Sequence, residues 1–248
     1  MSKLVVVLDP GHGGYDPGAT AFRLKEKDLN LMLALKVAEK LDSIKVLLTR
    51  ERDTYVSLAD RVALSKRAEP DLFLTLHANA GGGRGFESFI YNGLGSIDPA
   101  VAMQKALHDE IMSALNRWEV TDRGLKRAAF YVLRQNPCPA VLIESLFLDN
   151  EREARVWREP PFVEALATGV ARGVRAALGL TGAENTLLVE SAPVAQPFAF
   201  ENMPGNDAGS ILYMVQVGTF AYVENARQCL AEARKAGFTD AYIYQKQL

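Results

Sequence analysis

Short apolar runs alternate with helical patterns along the first part of the chain. The runs over residues 4–8, 45–49 and 72–76 are typical of strands that are buried on both faces of a sheet. Apolar residues recur at helical spacing over 29–41 and again after Leu58. This βαβα order predicts an α/β fold with a mainly parallel, twisted sheet and helices on both faces.

The pattern continues through the next hundred residues. Further strands are predicted over residues 86–91, 125–133 and 140–144. A helix is predicted over 101–115, and an apolar stripe over 162–177 predicts a long helix that ends near Leu178. Asn150 precedes Glu153 by three residues, which is the spacing of a capping box at the start of a helix.

Composition changes after residue 178. Residues 179–210 contain no Lys or Arg but do contain Pro193, Pro197 and Pro204, so they are predicted to form an extended, mobile linker. Residues 211–248 then show a strand, helix, strand pattern, which predicts a small βαβ segment. The chain is therefore divided into a domain over 1–178, a linker and a short tail.

Charge and cysteine usage exclude several classes of protein. The 28 Lys and Arg nearly balance the 30 Asp and Glu, so no global field attracts nucleic acid or an anionic membrane. The apolar run over 4–8 is too short for a signal-peptide core or a membrane span, which predicts synthesis in the cytoplasm without a signal peptide. Cys138 and Cys229 lie far apart and are predicted to be reduced thiols.

Three residues are candidates for a metal site. His12 and His77 both follow predicted parallel strands, and the carboxyl ends of such strands meet where ligands bind. Glu26 shares a helix face with Leu29 and Leu33, where a carboxylate is costly unless it is paired or binds a metal. Two imidazoles and one carboxylate, with a fourth position open for water, are typical of catalytic zinc.

A fourth candidate would act on the water. Glu144 ends the strand predicted over 140–144, a position equivalent to that of His77, and is predicted to take a proton from water and return it to a leaving amine. Spacing alone leaves other interpretations open. A histidine after a strand is often a hydrogen-bonded loop residue, and Glu26 alone would suit the first turn of a helix because of the helix dipole.

Three further polar residues receive non-catalytic predictions. His108 is followed by two acidic residues on a helix and is predicted to be exposed to solvent. Asp9 and Asn79 are predicted to orient the ligands or the loop that carries them.

Five sequence blocks stand in a fixed order across the first domain: LDPGHGG with DPGA, EKDLNL, TR with LADR, LHANA, and PAVLIE. They resemble the zinc-dependent N-acetylmuramoyl-L-alanine amidases of the amidase-3 family. The resemblance implies that residues 1–178 are the catalytic domain, that His12, Glu26 and His77 bind Zn²⁺, and that Glu144 acts in catalysis. The implied reaction hydrolyses the amide between the lactyl group of N-acetylmuramic acid and L-alanine in peptidoglycan.

One residue departs from the family pattern, since Leu146 stands where glycine is expected after the catalytic glutamate. This departure predicts a tighter pocket wall with unchanged ligands. Two rival functions remain open at this point. A peptidoglycan-binding protein without turnover would keep the fold, and a zinc peptidase on free peptides would share the ligands.

The tail resembles part of a sporulation-related (SPOR-like) peptidoglycan-binding repeat. A catalytic domain followed by such a repeat is similar to the mother-cell lytic amidases of spore-forming bacilli, with a prophage endolysin as the close alternative. Residues 211–248 supply about half of such a repeat, and units below about 40 residues rarely fold alone. We therefore expect the natural chain to continue or the tail to self-associate, while docking on the catalytic domain is the third option.

Overall fold

The computed structural model describes residues 4–180. The predicted linker beyond Leu180 and the SPOR-like segment over 211–248 lie outside the described residues. The strands are β1 (Val5–Pro10), β2 (Thr20–Ala21), β3 (Leu24–Lys25), β4 (Lys45–Leu48), β5 (Leu72–Asn79), β6 (Phe86–Tyr91), β7 (Asp122–Ala128) and β8 (Ala140–Phe147). The α-helices are α1 (Glu26–Glu39), α2 (Leu58–Ala68), α3 (Pro99–Ala114), α4 (Tyr131–Arg134), α5 (Glu151–Val156) and α6 (Pro160–Ala177).

Six strands form the central sheet in the order β4-β1-β5-β8-β6-β7. The first four strands in this order run parallel to one another, whereas β6 runs antiparallel to β8 and parallel to β7. Strand β8 is the last of the described strands along the chain, yet it lies between β5 and β6 in the sheet. The predicted α/β class with a mainly parallel sheet is confirmed.

Side chains alternate between two cores along each central strand, as the period of a pleated strand requires. In β1, Val6 and Leu8 enter the larger core, to which α1, α3 and α6 contribute. Val7 of the same strand enters the smaller core, which contains Val62 of α2 and Val132 of α4. Helices thus cover both faces, as the alternation of strands and helices predicts.

Helix α6 packs closely on α3 through two glycines. A Cβ atom added at Gly173 would lie 2.8 Å from the Leu107 Cα, and one added at Gly169 would lie 2.8 Å from the Ala114 Cβ. These distances are too short for carbon atoms, so the two helices approach each other at the backbone only because both positions are glycine.

Two predictions away from the candidate metal site are wrong. The strand predicted over 125–133 ends at Ala128, and Tyr131 begins the short helix α4. His108 is buried, not exposed, because its two ring nitrogens lie 2.9 Å from Ser88 Oγ and 2.9 Å from Asp122 Oδ1. These partners belong to other elements and replace water around the ring.

The capping box at α5 is half formed. The Asn150 side chain accepts a hydrogen bond from the N–H of Glu153 at 3.3 Å, as predicted. The Glu153 carboxylate instead accepts from the N–H groups of Gly85 and Phe147, each at 2.7 Å. Glu153 therefore connects the loop before β6 with the end of β8.

Within residues 4–180, every helix is too short or too polar to cross a membrane. Cys138 is a half-buried free thiol, as predicted, and Cys229 lies outside the described residues.

Candidate metal centre

The loop after β1 carries the first candidate ligand against the neighbouring strand. Gly11 N–H donates to the carbonyl of Leu76 at 3.0 Å, and a Cβ at Gly11 would lie 2.2 Å from the His77 ring. His12 follows with φ of 60°, a left-handed conformation that turns the chain out of the strand. Only a glycine at position 11 lets the two histidines come together.

The structure brings together the three residues that the sequence nominates as metal ligands. His12 Nε2 lies 3.1 Å from Glu26 Oε1, and His77 Nδ1 lies 2.8 Å from the same oxygen. The candidate ligand atoms all lie within 4.8 Å of one another. Contrary to the prediction, His77 does not follow its strand and Glu144 does not end its strand, because β5 extends to Asn79 and β8 extends to Phe147.

Backbone and side-chain groups fix the orientation of these ligands. Glu26 Oε2 accepts a hydrogen bond from Ala19 N–H at 2.8 Å, and Glu26 Oε1 accepts one from Ala78 N–H at 3.3 Å. Asp16 Oδ2 lies 2.9 Å from His12 Nδ1, so the other ring nitrogen of His12 is directed at Glu26. A carboxylate on the second nitrogen of a histidine is the usual support for a metal ligand.

The charges of the cluster shift its pKa values strongly. Burial opposes the charged form of His12, but hydrogen bonds to Glu26 and Asp16 outweigh it and raise the pKa of His12 to about 9. Burial opposes ionisation of Glu26 too, yet both histidines hold its pKa well below the usual range. The pKa of His77 is also raised, since the bond to Glu26 outweighs burial. These shifts show that the Glu26 carboxylate favours positive charge on the side of the two histidines.

Glu144 lies beside the cluster because of strand pairing. It is in register with His77 of the neighbouring parallel strand, so both side chains point to the same face of the sheet. Its Oε2 atom is buried and accepts no hydrogen bond within the described residues. Burial, only partly offset by the charge of His77, raises the pKa of Glu144 to about 7. Such a carboxyl group is suited to exchange protons near neutral pH.

Two arginines hold the loop that carries His12. Arg61 donates to the carbonyl oxygens of Pro10 and His12, both at 2.8 Å, and pairs with the buried carboxylate of Asp9 at 2.5 Å. Arg50 donates to the carbonyls of Pro10 and Gly11 at 2.9 and 2.8 Å. Asp9 thus acts on the loop through Arg61.

Asn79 does not contact the candidate ligands through its amide. Its Nδ2 atom donates to Glu87 Oε1 at 2.6 Å, on the side of Glu144 away from the histidines. Sequence reasoning missed Asp16 and Glu87, although the spacing of Asp16, four residues after His12, is a local signal. No local signal marks Glu87, whose position depends on strand pairing.

Leu146 has a backbone conformation that favours glycine, the residue that the resemblance leads us to expect there. Its φ is 62°, in the left-handed region that side chains with a Cβ rarely adopt, and a register shift between β5 and β8 accompanies it. The side chain is buried in the larger core and borders a small cavity lined by Trp118 and Val156. The departure from glycine therefore acts on the backbone and on the core.

Comparison with known proteins identifies the group to which this architecture belongs. Residues 6–176 match the family Amidase_3, described as N-acetylmuramoyl-L-alanine amidase. The chain is 36% identical over 237 residues to the sporulation-specific N-acetylmuramoyl-L-alanine amidase of Bacillus subtilis, an alignment that covers 94% of this chain and 82% of that protein. It is also 42% identical over 184 residues to the endolysin of Bacillus phage SPP1, in an alignment that covers 73% of this chain and 68% of that endolysin.

A solved structure shows the same fold. The N-acetylmuramoyl-L-alanine amidase from Clostridium difficile 630 superposes with a TM-score of 0.68 and 34% identity, over 73% of this chain and 99% of that one.

Proposed function

The chain belongs to the Amidase_3 family of N-acetylmuramoyl-L-alanine amidases, and we propose that His12, Glu26 and His77 hold its zinc ion while Glu144 is the general base. The enzyme is a peptidoglycan hydrolase that cleaves the amide between N-acetylmuramic acid and L-alanine of the stem peptide. One observation carries the assignment of residues. Three ligand atoms lie within 4.8 Å of one another, and Glu144 is paired in register with one of those ligands.

The donor set fits zinc by its chemistry. Two imidazoles and one carboxylate leave a coordination position for a non-protein ligand, and calcium or magnesium would instead prefer oxygen ligands throughout. A bound zinc ion supplies a Lewis acid that polarises the scissile carbonyl and acidifies a water molecule. Asp16 keeps the His12 ring oriented, and the N–H groups of Ala19 and Ala78 hold the Glu26 carboxylate in place.

Glu144 then moves the proton. It accepts a proton from the attacking water as the new carbon–oxygen bond forms, and returns it to the nitrogen of L-alanine as the carbon–nitrogen bond breaks. The products are a free lactyl carboxylate and a free N-terminal alanine. The buried Oε2 of Glu144, which accepts no hydrogen bond from residues 4–180, is available for this proton.

Metal analysis combined with turnover on purified peptidoglycan tests the proposal. We expect Glu144→Gln to keep zinc and to lose about 10²- to 10⁴-fold in the release of N-terminal alanine, because the amide keeps the shape but cannot accept the proton. His12→Ala should lose metal as well as turnover. Glu151→Gln removes an exposed carboxylate and serves as the control. Substantial turnover by Glu144→Gln would exclude Glu144 as the base.

We propose a role in lysis of the mother-cell wall during sporulation, with the enzyme made in the cytoplasm and acting on the wall after release. The similarity to the sporulation-specific amidase extends over 94% of the chain, whereas the similarity to the phage endolysin extends over 73%. Following the protein through sporulation tests this role. Accumulation before mother-cell lysis, and intact mother cells after gene deletion, would support it, and production only on prophage induction would contradict it.

A further inference from the structure

A cationic cluster lies on the same face of the sheet as the candidate metal centre. Arg123 and Lys126 of β7 both pair with Glu87 of β6; Arg123 Nε lies 2.7 Å from Glu87 Oε2, and Lys126 Nζ contacts the same oxygen. The Glu87 side chain is only 6% exposed, whereas those of Arg123 and Lys126 are 32% and 35% exposed. Two cations against one buried carboxylate leave one positive charge in excess, and the exposed parts of both cations face solvent.

Strand register places this cluster in line with the catalytic residues. Glu144 is in register with His77 on one side and with Glu87 on the other, so the three side chains form one row across β5, β8 and β6. Residues paired directly across strands point to the same face. Neighbouring strands lie about 4.8 Å apart, so the backbone of β7 lies about 10 Å from that of β8. The cationic groups reach back to the Glu87 carboxylate on β6, so they lie between one and two strand spacings from Glu144.

The cations are held in place. Asn79 Nδ2 donates to Glu87 Oε1 at 2.6 Å, so the carboxylate that anchors both cations is itself fixed from β5. The Arg123 guanidinium also lies over the Phe147 ring, 4.8 Å from its centroid. Burial opposes the charge of Glu87, but the hydrogen bonds from Lys126 and Arg123 outweigh it and lower the pKa of Glu87 below its usual range.

The opposite side of the metal centre has a different chemistry. The rings of Tyr15 and Tyr55 stack with their centroids 4.2 Å apart. Tyr15 lies three residues after His12 in the chain and is 79% exposed. The substrate has the same asymmetry, since a sugar stands on one side of the scissile amide and a peptide on the other. Aromatic rings suit the sugar, whereas fixed cations suit a carboxylate.

We propose that Arg123 and Lys126 form a subsite for a free carboxylate of the stem peptide, at the second or third residue. This inference rests on the proposed function of the metal centre. An extended peptide advances about 3.3–3.6 Å per residue, so a stem peptide that starts at the scissile nitrogen beside Glu144 crosses one to two strand spacings, about 5–10 Å, within its first three residues. Arginine and lysine at that distance recognise a carboxylate through charge-assisted hydrogen bonds.

The test uses synthetic muramoyl peptides in pairs that are identical except for a free carboxylate or a carboxamide at the second or third residue. For the full-length zinc-loaded enzyme we expect a KM about five- to tenfold lower for the carboxylate member of one pair, with similar kcat. The ratio compared is kcat/KM for the carboxylate member divided by kcat/KM for the carboxamide member. Arg123→Gln and Lys126→Gln should each bring this ratio towards one, whereas Lys126→Arg should keep the ratio of the wild type. This ratio is independent of the fraction of folded enzyme.

Arg127→Gln is the matched control, because Arg127 lies on the same strand with the opposite orientation and binds the Leu94 carbonyl at 2.7 Å. It should leave the ratio unchanged. Equal kcat/KM for both members of every pair in the wild type would overturn the subsite while leaving the amidase function intact. So would a preference that survives in both glutamine variants. If the wild type releases no N-terminal alanine from any peptide, the proposed function fails and the subsite with it.

Discussion

Leu146 allows the cost of a left-handed backbone to be measured against the cost of a lost side chain. The residue is 1% exposed and has φ of 62°. Leu146→Ala should destabilise the protein by about 2–5 kcal/mol, because a buried leucine is truncated. The penalty of the left-handed backbone is the same in both proteins, since alanine also carries a Cβ. Leu146→Gly removes one more methyl group but also removes the conformational penalty.

Leu142 provides the comparison, because it lies in the same strand, is 5% exposed and has no positive φ. There, the step from alanine to glycine should cost about 1.5 kcal/mol, from about 0.8 for the methyl group and about 0.5–1 for backbone entropy. At Leu146, relief of the left-handed conformation contributes about 1–2 kcal/mol in the opposite direction. The same step should therefore cost close to zero.

The four variants can be compared by urea unfolding of the full-length, zinc-loaded protein. Equal m-values across the set would show that the free energies refer to the same transition. A difference of about 1.5 kcal/mol between the two positions corresponds to about 3–6 °C in Tm for a domain of this size. If the alanine-to-glycine step costs as much at Leu146 as at Leu142, the left-handed conformation carries no penalty and the reasoning is wrong.

Three further predictions concern the metal, the helix packing and the tail. Zinc binding at pH 7 should release protons, and affinity should fall as pH falls, because the pKa of His12 is about 9 and that of His77 is raised. Calorimetry in buffers of different ionisation enthalpy checks this, and a buffer-independent heat would contradict it. Gly173→Ala should destabilise the protein by about 1–3 kcal/mol in thermal unfolding, despite the helix propensity of alanine, because its Cβ would clash with Leu107. Deleting residues 179–248 should weaken binding to insoluble wall without changing turnover on soluble fragments, and an equal loss on both would refute this.

Most of the longer strands and helices of the described domain follow from local patterns. The run over 4–8 is apolar on both faces because helices cover both faces of the sheet, and this continuity distinguishes it from an exposed strand. The error over 125–133 has a local cause. A polar, half-exposed strand and a four-residue helix follow each other there, and neither is long enough to show its own period.

The nature of the environment at single residues is harder to predict. His108 is flanked by Asp109 and Glu110 in sequence, yet its ring is enclosed by Ser88 and Asp122 from two strands. Acidic residues next to a histidine on a helix therefore do not show whether its ring is buried, because the groups that enclose the ring can come from other strands or helices. The same limit applies to Glu153, whose carboxylate accepts a hydrogen bond from Gly85, 68 residues earlier in the chain.

The position of Glu144 shows how topology completes what local patterns begin. A polar residue at the end of an apolar strand is visible in the sequence, and the carboxyl ends of parallel strands meet at one edge. Which strand lies next to β5 is not visible, because β6 follows β5 in the chain and would be the obvious neighbour. The sheet instead inserts β8 between them, which pairs Glu144 directly with His77 and with Glu87. The base and the neighbouring cationic cluster therefore depend on a strand order that only the folded sheet reveals.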